Sequence, residues 1–162
     1  CSSDLPLFLA IIGGPVDRFA PFADLHRRPE GTPDVETVLM PGELITAIEV
    51  PAGPWTRRSR YVKVRDRDSY AFALASAAVA LDLDGETVRE VRIALGGIAS
   101  VPWRAREAED VLRGRRLDES SALAAAEAAL AGARTFEHNA FKVPLAKQTL
   151  VRALLETQAM EV

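Results

Sequence analysis

The stretch ALASAAVALDLDGETVREVRIALGGI, residues 73 to 98, decides the fold. The run from Ala71 to Leu83 is nearly continuous in apolar residues, and periodicity alone fits either a buried strand or a buried helix. The residues after Leu83 favour the strand. Asp84-Gly85 is a strong two-residue hairpin signal. Beyond it Val91, Ile93 and Leu95 alternate with Glu90, Arg92 and Ala94, the period of a half-buried strand. Ala73 to Leu83 and Thr87 to Ile98 therefore read as paired antiparallel strands. Gly96-Gly97 lacks the spacing of a phosphate loop and reads as a tight bend at a strand end.

Upstream, Arg57 to Arg67 alternates as well: Arg60, Val62 and Val64 fall on one face, and Tyr61, Lys63 and Arg65 on the other. Glu43 to Val50 reads as a further strand, stopped by Pro51. Downstream the period changes. Trp103 to Leu112 fits a helix stopped by Gly114. Asp118 caps a second, alanine-rich helix running to Ala131. Pro144 sits in the first turn of a third, with Leu150, Val151, Leu154 and Leu155 as its apolar stripe. Strands first and helices second predict an α+β fold: an antiparallel sheet of three to four strands followed by three helices packed on one face.

Residues 1–42 differ in character. Asp4 to Ile12 reads as one short helix, capped by Ser3 or Asp4 and ended by Gly13-Gly14-Pro15. From Asp17 to Pro41, prolines and charges predict a connecting segment.

The composition narrows the function classes. The net charge of -3, with acids and bases well mixed, argues against a nucleic-acid surface. The longest apolar run, Tyr70 to Leu81, is too short for a membrane span. A single cysteine, Cys1, excludes an internal disulfide, and no cluster has metal-ligand spacing. His26 and His138 have no partner set for a triad or a metal site and read as surface or capping residues. Arg65-Asp66-Arg67-Asp68 reads as a solvated strand end. Lys63 is a cation whose position the strand fixes, so it could face an electron-rich ligand. A leading Cys1-Ser2-Ser3-Asp4 also fits the lipidated cysteine of a surface lipoprotein, a reading that needs a supporting leader.

Several segments together resemble one family. They are PGELITAIEVP (Pro41 to Pro51), RYVKVRDRDSYAFALASAAVALDLDG (Arg60 to Gly85) and RIALGGIASVPWRAREAE (Arg92 to Glu109), with Ser3-Asp4-Leu5 before them and HNAFKVPLAKQTLVRAL (His138 to Leu154) after. In order and spacing they look like the flavoprotein subunit of the molybdenum hydroxylases, the group of xanthine dehydrogenase, carbon monoxide dehydrogenase and aldehyde oxidoreductases. RDRDSYAFAL, VPWRAREAE and HNAFKVPLAKQTLVRAL are most similar to bacterial aldehyde oxidoreductases.

The resemblance implies that residues 1–42 are the tail of the second FAD-binding subdomain and residues 43–162 the flavoprotein C-terminal domain. It implies a partial FAD site. The acid of the family's Ser-Asp motif falls on Asp4, the apolar residue packing against the flavin on Ile45, and the lysine near the ring on Lys63. It implies no catalytic or metal-ligating residue, and Cys1 is not assigned as a ligand. The implied partners are a large subunit with the molybdenum cofactor, a small subunit with 2Fe–2S clusters, and the missing N-terminal FAD-binding half. Electrons would pass from the clusters to FAD and an acceptor, and the isolated chain is expected to be inactive. The expected compartment is the bacterial cytoplasm or periplasm. The alternative from another class is a non-catalytic assembly module without flavin.

Overall fold

Two strands joined by a tight turn organise most of the chain. In the computed structural model, which describes residues 9–14 and 17–162, they are β5 (Ala75–Asp84) and β6 (Thr87–Gly96). Gly85 takes a φ of 58° at the first turn position, where a side chain would be strained. The pairing runs Asp84 with Thr87 and Leu83 with Val88, and then slips by one residue, so that Asp82 meets Glu90 and Val79 meets Ile93. This bulge lets Val88 and Val91, three residues apart, point to the same face.

The sheet grows on both sides of the hairpin. β4 (Ser59–Val64) pairs antiparallel with β5, and the short β7 (Trp103–Arg104) with β6, giving the order β4-β5-β6-β7. One face carries Val62, Ala77, Val79, Leu81, Val91, Ile93 and Leu95, all buried. Three helices close over it: α2 (Arg106–Leu112), α3 (Glu119–Leu130) and α4 (Lys142–Gln158). α2 packs on β6, α4 on β4 and β5, and α3 bridges α2 and α4. The α+β fold of a sheet followed by helices is thus the one expected. α3 meets its neighbours through Ala122, Ala125, Ala126 and Ala129, small side chains that allow close approach. Asp118 caps it by accepting from the Ser121 N–H at 2.9 Å.

α4 is tied to the sheet at both ends. Lys142 Nζ donates to the carbonyls of Leu74 and Gly97 at 2.9 and 2.7 Å, holding the first residue of α4 against the ends of β5 and β6. Arg58, just before β4, donates to the carbonyls of Thr157, Gln158 and Met160, a cation on the helix C-terminus.

Two expected elements differ. The helix expected from Trp103 begins at Arg106, because Trp103 and Arg104 pair with Leu95 and Ala94 as β7. The helix expected over Asp4 to Ile12 is, where described, a strand: β1 (Leu9–Gly13). It lies between β2 (Arg18–Pro21) and β3 (Leu44–Glu49), and pairing on both sides overrides local helix propensity. A single-turn helix, α1 (Phe22–Leu25), comes after β2. The strand expected from Glu43 forms, but in this three-stranded sheet. By contacts the chain divides into two units, Cys1–Ala52 with Ser100–Pro102, and Gly53–Ala99 with Trp103–Val162. Among the described residues no helix is long and apolar enough to cross a membrane.

One buried acid joins sheet to helices. The Glu109 carboxylate accepts from the Ile93 N–H at 2.8 Å, and both its oxygens accept from the Arg104 guanidinium, at 2.5 and 2.9 Å. Replacing Glu109 with Ala strips the acceptor from a strand amide and from a half-buried cation. We expect a loss of about 2–4 kcal/mol in reversible denaturant unfolding. The neighbouring exposed change Asp110→Ala should cost under about 0.5 kcal/mol. Equal effects of the two changes would refute this role for Glu109.

Candidate functional site

Every second residue of β4 points away from the helices. Val62 is buried in the core, while Tyr61 and Lys63 stand on the outer face. Lys63 is exposed, and among the described residues its ammonium has neither an acid nor a carbonyl partner. Its register is fixed: Lys63 lies opposite Ser76, and Ser76 opposite Gly96. In the next row Tyr61 stands beside the small side chains of Ala78 and Ala94. Arg92 lies on this face too, its guanidinium 5.1 Å from the Trp55 ring centroid. Among the described residues the outer face thus carries a positioned cation without a protein partner, Lys63, on its edge strand, next to a low strip of Ser76, Ala78, Ala94 and Gly96.

Ile45 lies in β3, in the other unit. β3 pairs with β1, and a bulge puts Ile12 opposite Ile45. Ile45 is 39% exposed, so its apolar surface is partly open to a ligand or to other chain. The start of β3 is fixed by Glu43. Its carboxylate accepts two hydrogen bonds from Arg18, both at 2.8 Å, and one from the Met40 N–H at 2.7 Å. Arg18 also donates to the Val38 carbonyl at 3.0 Å. The Arg18 guanidinium, and after it the Met40 amide, lower the Glu43 pKa to about 2. Asp4 and Cys1 lie outside the described residues.

His26 is partly buried, edge-on to Phe22 with ring centroids 5.9 Å apart. His138 is exposed beside Glu137. Arg65 to Asp68 are all exposed, and Arg67 donates to the Tyr70 carbonyl at 2.5 Å. Among the described residues no group of His, Cys, Asp and Glu is arranged to hold a metal ion. Sequence reasoning finds Lys63 but not its row. Ser76 carries no signal by itself, and Gly96 reads only as part of a bend.

The family described as the CO dehydrogenase flavoprotein C-terminal domain matches residues 60–157. The chain belongs to that family. It is also 38% identical over 165 residues to the aldehyde oxidoreductase FAD-binding subunit PaoB of Escherichia coli K12, covering 97% of this chain and 48% of that protein. Its fold matches a chain of quinoline 2-oxidoreductase from Pseudomonas putida 86 with a TM-score of 0.80 and 26% identity, over 94% of this chain and 53% of that one. It matches a chain of reconstituted CO dehydrogenase from Oligotropha carboxidovorans with a TM-score of 0.82 and 27% identity, over 96% and 54%. The chain thus spans about half the length of these relatives. The family match begins at Arg60, so it contains Lys63 and the whole platform, and Ile45 lies before it.

The pinned start of β3 carries a pH signature. Glu43 has a folded pKa lowered from 4.5 to about 2, so it contributes stability that is fully present above about pH 4.5 and is lost as pH falls toward 2. Stability of the first unit measured across that window should decline with acidification, and Glu43→Gln should remove that component of the slope. An unchanged slope in Glu43→Gln contradicts the role given to the Arg18–Glu43 pair.

Proposed function

We propose that this chain is the C-terminal part of the FAD-binding, electron-transfer subunit of a molybdenum-dependent aldehyde oxidoreductase. The observation that carries the reading is Lys63: a cation without a partner among the described residues, at a fixed register beside a strip of small side chains, within the family-matched segment. In this reading residues 1–42 are the tail of the second FAD-binding subdomain. The partners are a large subunit holding the molybdenum cofactor, a small subunit holding 2Fe–2S clusters, and an N-terminal FAD-binding half.

The described residues fit a flavin. The strip of Ser76, Ala78, Ala94 and Gly96 beside Lys63 leaves room for a planar ring, and an ammonium without a partner among the described residues suits an acceptor-rich edge. FAD, when bound, supplies the redox chemistry and exchanges electrons with the clusters and an acceptor. Lys63 contributes positive charge beside the ring and so favours its reduced, more negative form. Ile45 contributes apolar surface that excludes water. Asp4 contributes a carboxylate to accept a hydrogen bond from the cofactor. No residue of this chain touches the aldehyde, and the isolated chain is inactive.

The test is made on the FAD-loaded full-length subunit. Lys63→Ala should keep its flavin and lower the midpoint potential. A charge contribution of about 1–2 kcal/mol, between the water and protein-surface limits, corresponds to about 20–40 mV for a two-electron couple. Ile45→Asp should reduce flavin content, read by absorbance. If both variants retain flavin content and potential, the flavin-site reading is wrong.

A second reading has an observation of its own. Tyr70 and Phe72 are 96% and 99% exposed in the loop between β4 and β5, and Tyr70 has a φ of 51°. Large apolar side chains held outward suit a module that docks other subunits. Tyr70→Ser with Phe72→Ser should then weaken co-purification with the partner subunits without changing the melting temperature. Unchanged co-purification counts against docking through this loop.

A further inference from the structure

The row that contains Lys63 holds a second polar group with no role in the fold. Ser76 is 5% exposed as a residue, and among the described residues its hydroxyl is paired with no other group of the chain. The next residue in the row explains its direction. A Cβ added to Gly96 would lie 2.7 Å from Ser76 Oγ. The hydroxyl therefore leans toward β6, into space left open by glycine. Gly96 has no positive φ, so close approach, not backbone conformation, is what requires glycine here.

Strands lie about 4.8 Å apart. A lysine side chain laid across the sheet from β4 ends over β5, on the side toward β6. That is where the Ser76 hydroxyl leans; in the adjoining row Tyr61 flanks Lys63 on β4, while Ala78 and Ala94 leave the space over β5 and β6 low. We propose that Ser76 is a positioning residue for Lys63: its hydroxyl, given room by Gly96, accepts a hydrogen bond from Nζ and holds the ammonium low over the sheet, toward the bound ligand. This inference rests on the flavin reading. It adds that the potential depends on where the cation is held as well as on its presence. It also gives the glycine at the end of β6 a task beyond the bend.

The experiment measures flavin midpoint potential and FAD content in the FAD-loaded full-length subunit, for wild type, K63A, S76A, G96A and the pair K63A/S76A. S76A should retain FAD and lower the potential in the direction of K63A, by less. The double variant should match K63A alone, because a positioning residue has nothing to position once the ammonium is gone. G96A should act like S76A by forcing the hydroxyl out of its place, which keeps the inference testable if S76A fails to fold. If K63A shifts the potential while S76A and G96A do not, or if S76A adds fully to K63A, the inference is overturned and the flavin reading stands. If none of the variants shifts the potential, both fail.

Discussion

The single-residue slip between β5 and β6 sets everything else in the larger unit. Without it, counting back from the turn would pair Ser76 with Leu95 in place of Gly96. A strand slipped by one residue exchanges its faces. Val91, Ile93 and Leu95 would then turn toward the side of Lys63, and Arg92 and Glu90 toward the helices. Each of those three apolar side chains gains about 1.5–3 kcal/mol from burial, which far exceeds one lost ladder hydrogen bond. The bulge keeps Val88 and Val91 in the same core, both fully buried. In doing so it brings serine and glycine into line with lysine on the other face.

That slip also marks how far the sequence can be read. The hairpin is legible because its turn dipeptide and its alternation agree. The exposed side of Lys63 is legible from alternation within β4 alone. The row beyond Lys63 is not, because it depends on a register that the bulge changes. A signal does exist: core valines at 88 and 91 break a period of two, and only an extra residue in the strand reconciles them. β1 escapes the sequence for a different reason. Its apolar run has no clear period, and its partners β2 and β3 are recognisable as neighbours only after folding. β7 is hidden likewise, since two residues that pair with β6 look like the first turn of the helix beyond them.

Four charged groups in the described residues work at joints. Glu43 holds the start of β3, Glu109 holds β6 and β7 to α2, and Arg58 and Lys142 hold the two ends of α4. The carboxyl groups shifted below their usual range have structural causes. Glu43 is lowered by Arg18, Asp118 by the amide of Ser121 that it caps, and Glu156 by Arg152. Perturbed groups often mark functional sites, but ion pairs and caps perturb them equally well. Here the shifted acids mark the joints, and the feature that points to a ligand is the opposite kind of group: a positioned cation left without a partner.

The sheet therefore divides its two faces by task. The face under the helices holds the large apolar side chains and most of the stability. The outer face holds a strip of alanine, serine and glycine, whose side chains bury little area, together with Tyr61, Arg92 and the unpaired Lys63. A small residue beside a lysine adds little apolar burial of its own. It is a sound choice where something flat must come close and meet a charge. The separation also means that changes at Lys63 leave the core intact, so their effects report on the ligand and not on folding. A change at Glu109 or Leu154 disturbs the face that holds the unit together, and its effect on a bound ligand would be indirect.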